Sequence, residues 1–310
     1  MRIAFINTLI ELAEKDKGIF LLTGDLGFSV LERFRDKFPD RFFDVGVAEQ
    51  NMIGVAAGLA LSGKIVFVYS IVPFVTMRCF EQIRNDLCFQ NLNVRLVGIG
   101  GGVAYGSAGS THYALEDVAI MRSLVNMTVI CPADPLETEL VVKSSLSHQG
   151  PIYIRLGKGN DPVVHSKLNF QIGRGIIVED GGDITIIASG SMLLTAKQVS
   201  EALKKRNLSV RLVSMPTLKP LDNRIILKSA RETKAIFTLE EHSVIGGLGS
   251  AVSDVLAESK HNVLFKKFAF PDRYNEVVGS QKYLLKKNGM SVQQITKNIL
   301  KCGQRWHNVF

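Results

Sequence analysis

The sequence predicts an α/β protein of two doubly wound domains. Three features carry that expectation. The strand-like runs are continuously apolar rather than alternating, helical patterns lie between them, and the same order starts again after a turn-rich stretch at residues 161–182. Continuously apolar strands separated by helices mark a parallel sheet covered on both faces. The 310-residue length agrees, because domains average roughly 100–200 residues.

The first domain is placed at residues 1–160. Residues 3–14 (IAFINTLIELAE) space their apolar positions as a helix does, and 19–23 (IFLLT) ends in Gly24-Asp25, a strand followed by a turn. Residues 41–45 read as a second short strand. Residues 48–62 are helical and rich in small residues, with Gly63 as the C-cap. A strand at 64–69, a helix around 74–89, a strand at 93–99 and a Gly-rich loop at 100–110 follow. A helix at 114–124, a strand at 127–131, a helix at 135–148 and a strand at 151–156 complete the domain. The connection is assigned to 161–182. The second domain, 183–310, opens with strand 183–188, helix 192–205 and strand 209–214. A Pro-bounded loop at 215–220, helix 222–231, strand 234–239 and helix 247–258 continue it.

Composition excludes several classes. An apolar fraction of 46% against 21% charged residues is incompatible with a disordered chain. No apolar run reaches the roughly 18 residues a membrane span needs, and the N-terminus lacks a signal-peptide pattern. Cys79, Cys88, Cys131 and Cys302 share no CxxC spacing, so reduced thiols and a cytoplasmic location are expected. The formal charge of +8 is concentrated: residues 261–310 hold nine Lys/Arg against two acids. Such an excess reads as a solvated helical face rather than a nucleic-acid site, since interleaved aromatics and a known module are missing.

Four places offer chemistry. Glu49 opens a helix just after a strand, where ligands of open parallel sheets bind. Desolvation there would raise its pKa and make it a proton donor, or it is simply an acid favoured by the helix dipole. Position alone favours the second. Residues 100–112 form a Gly/Ser loop suited to close ligand approach, without a nucleotide fingerprint. His112 at its end reads equally as a ligand or proton shuttle and as a cap. Phe74 could stack on a heterocycle or be plain core. Residues 240–249 pair Glu240, Glu241 and His242 with a Gly-rich turn, as either a site or a helix cap. No metal-ligand spacing or GxSxG elbow stands out.

Taken together, VAEQNM (47–52), RCFEQIRND (78–86), STH–ALEDVAIMR (110–122) and NMTVICPAD (126–134) resemble the C-terminal half of transketolases. That half is a pyrimidine-binding domain followed by a transketolase C-terminal domain, and the likeness spans nearly the whole chain. The resemblance implies thiamine diphosphate as cofactor, with Glu49 hydrogen-bonding pyrimidine N1′ and so promoting deprotonation of the thiazolium carbon. It implies Phe74 stacked on the pyrimidine, with Ile71 and Met77 lining the same pocket. It also implies His112 on the donor sugar, and Arg2 and Lys158 on a sugar phosphate, with Arg155 a rival to Lys158. The Gly-Asp pairs at 24–25 and 182–183 lack the context of the family's diphosphate- and Mg²⁺-binding domain, so that domain is not expected within these residues. The chain therefore resembles the C-terminal section of a split enzyme. It is expected to work with an N-terminal-section chain that holds Mg²⁺ and the diphosphate, in a homodimer or a dimer of heterodimers. The second domain is expected to supply contacts between chains rather than cofactor contacts, which suits Glu240, Glu241 and His242 as interface or cap residues. Two substrate-reading positions of the family differ. An Asp four residues before the histidine is Ala108, and a histidine about twelve before falls on Gly100, Gly101 and Gly102. A modified or biosynthetic ketose is the expected substrate class, because lost polar contacts change discrimination strongly. The alternatives are a 1-deoxyxylulose-5-phosphate synthase-like half, a non-catalytic scaffold and a half-enzyme like the beta chain of a 2-oxo acid dehydrogenase.

Overall fold

The computed structural model describes residues 1–159, 161–166 and 168–306, with side chains through Gly303. Asn160 and Lys167, in the expected connection, and residues 307–310, at the end of the basic tail, lie outside the described residues.

Among the described residues the first sheet is built on β1 (Ile19–Thr23), β2 (Phe42–Asp44), β3 (Ile65–Ile71), β4 (Val94–Ile99), β5 (Thr128–Ile130) and β6 (Ile152–Leu156). All pair in parallel. β4, β5 and β6 are buried along their whole length and β1 and β3 nearly so, which is why their runs are apolar without alternation. Helices α1 (Arg2–Lys15), α2 (Glu32–Lys37), α3 (Glu49–Leu61), α4 (Val72–Thr76), α5 (Phe80–Gln82), α6 (Asp117–Ser123) and α7 (Pro135–Ser145) accompany these strands. The start of α7 is written in its sequence. Asp134 accepts the Glu137 N–H at 2.8 Å, Pro135 follows it, and Glu137 reaches back to the Ala133 N–H at 2.6 Å.

The second sheet combines β7 (Ile176–Glu179), β8 (Ile184–Ala188), β9 (Val210–Ser214), β11 (Ala235–Ser243) and β12 (Leu264–Phe270), with β10 (Thr217–Lys219) between β9 and β11 in the chain. The order is β12-β11-β8-β9-β7. Helices α8 (Met192–Lys204), α9 (Asn223–Glu232), α10 (Leu248–Ala257), α11 (Gln281–Lys287) and α12 (Val292–Trp306) belong to this half. In α11 and α12, Leu284, Ile295 and Ile299 are buried while Lys282, Lys286, Lys287, Lys297 and Lys301 are at least partly exposed. The basic tail is thus largely a solvated helical face.

Three local expectations need correction. The stretch assigned to the connection contains β7, an antiparallel edge strand on β9. The loop at 215–220 contains β10, which pairs antiparallel with β5 and extends the first domain's sheet to seven strands. An unpaired edge invites such an addition, and the flanking Pro216 and Pro220 suit an edge position. The helix expected around 74–89 is broken into α4, α5 and a π-helical stretch at Ile83–Cys88. Thr76 Oγ1 donates to the Val72 carbonyl at 2.7 Å, and the Arg78 N–H reaches back five residues to the Pro73 carbonyl. That widened turn re-aims residue 78, and such bulges cluster at functional sites.

One hydrophobic cluster runs through both halves, joining Val68 and Met121 to Val213 and Ile236. A polar knot sits at the same junction. His165 Nδ1 lies 3.0 Å from Asp134 and Nε2 lies 3.3 Å from Glu137, which also accepts the Ser214 hydroxyl at 2.7 Å. Burial alone would pull the His165 pKa down, but the Asp134 bond and the Glu137 charge outweigh it and raise it. A histidine whose folded pKa is raised contributes stability that is complete below its unfolded value near 6.5 and is lost as pH rises through the folded value. His165→Asn should therefore lower the urea midpoint more at about pH 6 than at about pH 8.5. A gap that widens with pH would contradict this arrangement.

Candidate active site

The carboxyl ends of β1, β3 and β4 converge on one edge of the first sheet, where ligands of such sheets bind. β1 delivers Gly24, β3 delivers Ser70 and Ile71, and β4 delivers the loop from Gly100. Glu49 is the first residue of α3 and only 1% exposed. Its Oε2 accepts a charge-assisted hydrogen bond from Arg78 Nη1 at 2.6 Å, and the Ser70 hydroxyl lies 3.4 Å from Oε1. A Cβ on Gly24 would sit 3.0 Å from the Gly46 carbonyl and 3.7 Å from Glu49 Cγ, so a residue without a side chain keeps that wall open.

From Glu49 a line of side chains runs outward. Arg78 Cζ lies 4.5 Å from the Phe74 ring centroid. Phe74 meets His112 edge to face at 5.2 Å, and His112 lies 6.3 Å from the Tyr105 ring. Thr111 Oγ1 is 3.0 Å from His112 Nδ1. Lys158 Nζ stands 4.7 Å from the Tyr105 centroid. Beyond it a cavity of about 360 Å³ is lined by Arg2, Ala104, Lys158, Gly159 and Gln281. Among the described residues, the buried Arg2 Nε finds no hydrogen-bond partner. Arg2 interacts with the Tyr69 hydroxyl, and a guanidinium with no carboxylate partner among the described residues, beside an exposed lysine, suits an anionic group. Burial pushes the Tyr69 hydroxyl up to about 12 despite the opposing Arg2 charge. Burial and then Glu49 push the Cys79 thiol up to about 12, so neither is a neutral-pH nucleophile or base.

Of the residues expected from sequence, the structure brings Glu49, Phe74, His112, Lys158 and Arg2 into this one line. Ile71 ends β3 and Met77, 37% exposed, closes α4, about one helical turn before and after Phe74. Arg155 lies elsewhere. It is 8% exposed, its Nε donates to Asp117 at 2.7 Å, and Nη2 reaches Asp117 at 3.3 Å and the Ala114 and Glu241 carbonyls at 2.7 and 2.9 Å. That makes it a tie under the glycine loop rather than an open sugar-phosphate cation. Glu240 accepts the Leu248 and Gly249 N–H groups and so caps α10, and His242 accepts the Ala119 N–H at 3.3 Å across the domain junction. Glu241 is buried, accepts the Val103 N–H, the Ser191 hydroxyl and the Gln281 amide, and anchors the glycine loop to the second domain. Gly102, at φ +69°, must lack a side chain because a Cβ would meet Glu241 at 2.4 Å.

Sequence reasoning missed Arg78, Tyr105 and Gln281. Arg78 opens the RCFEQIRND segment, but a regular helix would not have aimed it at Glu49. Tyr105 fills the space above Gly100, where a Cβ would fall 2.1 Å from its ring.

Family models agree with this architecture. Residues 1–163 match "Transketolase, pyrimidine binding domain" and residues 173–295 match "Transketolase, C-terminal domain". The chain belongs to the transketolase family. It is 40% identical over 304 residues to a putative transketolase C-terminal section of Methanocaldococcus jannaschii, covering 97% of this chain and 95% of that one. It is 37% identical over 302 residues to an apulose-4-phosphate transketolase chain of Phocaeicola vulgatus, covering 96% of each. It is 38% identical to the 6-deoxy-6-sulfo-D-fructose transketolase subunit SqwH of Clostridium sp. strain MSTE9, covering 96% of this chain and 92% of that one. A solved structure described as a split gene transketolase, inactive beta4 tetramer, matches with a TM-score of 0.89 at 40% identity over 97% of both chains. The transketolase fold expected from the sequence, and the likeness to the C-terminal section of split transketolases, are thus established. Among the described residues no cluster of three His, Cys, Asp or Glu could hold a metal ion. No helix among them is long and apolar enough to cross a membrane, and the four cysteines carry free thiols.

Proposed function

We propose that this chain is the half of a thiamine diphosphate enzyme that holds the cofactor's pyrimidine and the sugar, moving a two-carbon ketol unit between sugar or sugar-phosphate substrates. The carrying observation is the continuous line from the buried Glu49 carboxyl, past Phe74 and His112, to the Arg2–Lys158 cavity. The residues fit the cofactor's pyrimidine. A buried carboxyl suits a ring nitrogen, a flat apolar ring suits a heterocycle, and Gly24 leaves room between strand and helix. When bound, the cofactor supplies the nucleophilic carbon and the electron sink for ketol transfer. Glu49 shares a proton between its Oε atoms and N1′, Phe74 sets the plane of the ring, and Ile71 and Met77 exclude water around it. His112 donates or accepts at a sugar hydroxyl or carbonyl, and Arg2 and Lys158 receive the phosphate.

The Mg²⁺–diphosphate grip is assigned to an N-terminal-section partner chain, and the complete enzyme to a homodimer or dimer of heterodimers in the cytoplasm. The structural relative described as inactive in its beta4 form supports the need for a second chain. Gly100–Gly102, with the Tyr105 ring packed against Gly100, and Ala108 stand where many transketolases present two polar groups to sugar. Apulose 4-phosphate and 6-deoxy-6-sulfo-D-fructose, named for the relatives, support a modified ketose as substrate.

The test is ketol transfer by this chain mixed with its diphosphate-binding partner, using xylulose 5-phosphate, apulose 4-phosphate and pyruvate as donors. Transfer from the modified ketose, without CO₂ release from pyruvate, is expected. Lys158→Ala should raise KM for the phosphorylated sugar by about tenfold or more with little change in kcat, the signature of a lost binding contact. Normal rates with xylulose 5-phosphate would remove the substrate assignment. CO₂ release from pyruvate would favour the synthase- or dehydrogenase-like alternatives.

A further inference from the structure

Arg78 has no role in the reading above, yet it makes the two contacts that matter most there. Its guanidinium lies 4.5 Å from the Phe74 centroid and bonds Glu49 Oε2 at 2.6 Å. A guanidinium is flat, delocalised and edged with N–H donors. To Phe74 and Glu49 it offers the features a protonated aminopyrimidine would offer: a π-stacking plane and a hydrogen-bond donor for the carboxylate. Arg78 itself is 42% exposed while Glu49 is 1% exposed, so the side chain reaches in from the mouth and can leave toward solvent. The broken helix between α4 and α5 makes this reach possible.

We propose that Arg78 holds the pyrimidine's place: its guanidinium, over Phe74 and bonded to Glu49, must swing out before a pyrimidine ring can be seated. The proposal rests on the pyrimidine-site reading and deepens it, because cofactor capture by this chain becomes the displacement of one of its own side chains. No covalent step is involved. One hydrogen bond to the Glu49 carboxyl is exchanged for another, and Arg78 regains its hydration. Until then the guanidinium keeps the buried carboxyl partnered, so the free chain does not carry an uncompensated buried charge. Of the groups packed around Glu49, Arg78 supplies the charge. Cys79 adds a neutral thiol, Ser70 from β3 and Gly24 after β1 add no charge, and His112 stands behind Phe74.

The experiment uses the full chain and two probes, 4-amino-5-hydroxymethyl-2-methylpyrimidine and thiamine diphosphate with Mg²⁺. The fragment needs only contacts within this chain. Calorimetric titration should give Arg78→Met an affinity for the fragment about tenfold or more above wild type, because a charge-assisted bond no longer competes. Arg78→Gln serves if the Met variant does not fold. In the wild-type chain, either probe should accelerate modification of Arg78 by phenylglyoxal, read by peptide mass, as the guanidinium moves out to solvent. Equal or weaker binding by the variant, or protection of Arg78 on binding, would overturn the displacement while leaving the pyrimidine site standing. Absence of binding by wild type and by Arg78→Met, with Glu49→Gln indistinguishable from both, would overturn the site reading and this inference together.

Discussion

Glu49→Gln should lower ketol transfer by about 100- to 10,000-fold, the range of a lost acid–base contribution, while the chain still folds and assembles. Glutamine keeps the shape and one hydrogen bond but cannot hold or release the proton opposite the pyrimidine nitrogen. The fold should tolerate it. The substituted group sits at the first turn of α3, and Ser70 remains within reach of its amide. Arg78 loses an ionic partner but is 42% exposed and can be hydrated. The measurement pairs turnover of the complete enzyme with the melting temperature and with co-purification of the partner chain. Turnover within about a factor of three of wild type would remove Glu49 from the chemistry. A collapse in melting temperature would mean that its part is structural.

The second large effect falls on stability. Asp117 is fully buried and accepts the Tyr153 hydroxyl at 2.6 Å, Arg155 Nε at 2.7 Å and Nη2 at 3.3 Å. Arg155 in turn holds the Ala114 and Glu241 carbonyls and lies against Gly101. This one ion pair therefore joins β6, α6, the glycine loop and the second domain. Removing one member leaves the other as an uncompensated buried charge, which costs about 3–5 kcal/mol. Asp117→Asn should accordingly lower the melting temperature by about 5–8 °C at this chain size. Replacing both residues, as in Asp117→Asn with Arg155→Met, should cost less than the sum of the single changes. Calorimetric melting of the four proteins checks it, and additive losses would show that the pair is not coupled. Because Arg155 carries the glycine loop, the single variants should also weaken His112-dependent substrate contacts, whereas Lys158→Ala should leave the melting temperature unchanged.

Much of the architecture was legible in the residues. β1, β3, β4 and β6 are buried on both faces, and their runs are apolar without alternation apart from the buried Ser70, Arg95 and Arg155. The helices between them follow from 3.6-residue spacing and, for α7, from Asp134-Pro135-x-Glu137. α2, β12, α11 and α12 were not read from the sequence, and neither were two strands whose partners are distant in the chain. β10 is three residues long and pairs with β5, far earlier in the chain. β7 is a partly exposed edge strand whose pairing partner lies beyond α8. Short edge strands carry little periodicity, since one ladder of backbone bonds to an existing edge is enough to form them.

The candidate site divides in the same way. Glu49, Phe74 and His112 stand in or beside segments whose residue order is characteristic, and Glu49 and His112 also sit at strand-to-helix or loop-to-helix transitions visible in the pattern. Local sequence placed them at the carboxyl edge of the first sheet. It could not tell that Arg155 is spent on Asp117 while Lys158 stands at the cavity mouth, because both are cations three residues apart at the end of one strand. Burial and the carboxylate opposite separate them, and the chain must fold before either exists. Nor could it place Arg78 on Glu49, which needs the widened turn between α4 and α5, or Gln281 beside Arg2, which needs the second domain packed over the glycine loop. Residue type and periodicity determined the two α/β layers and the acids and rings that belong to them. Packing of distant segments decided which charges are paired, which are buried and which stay open to a ligand.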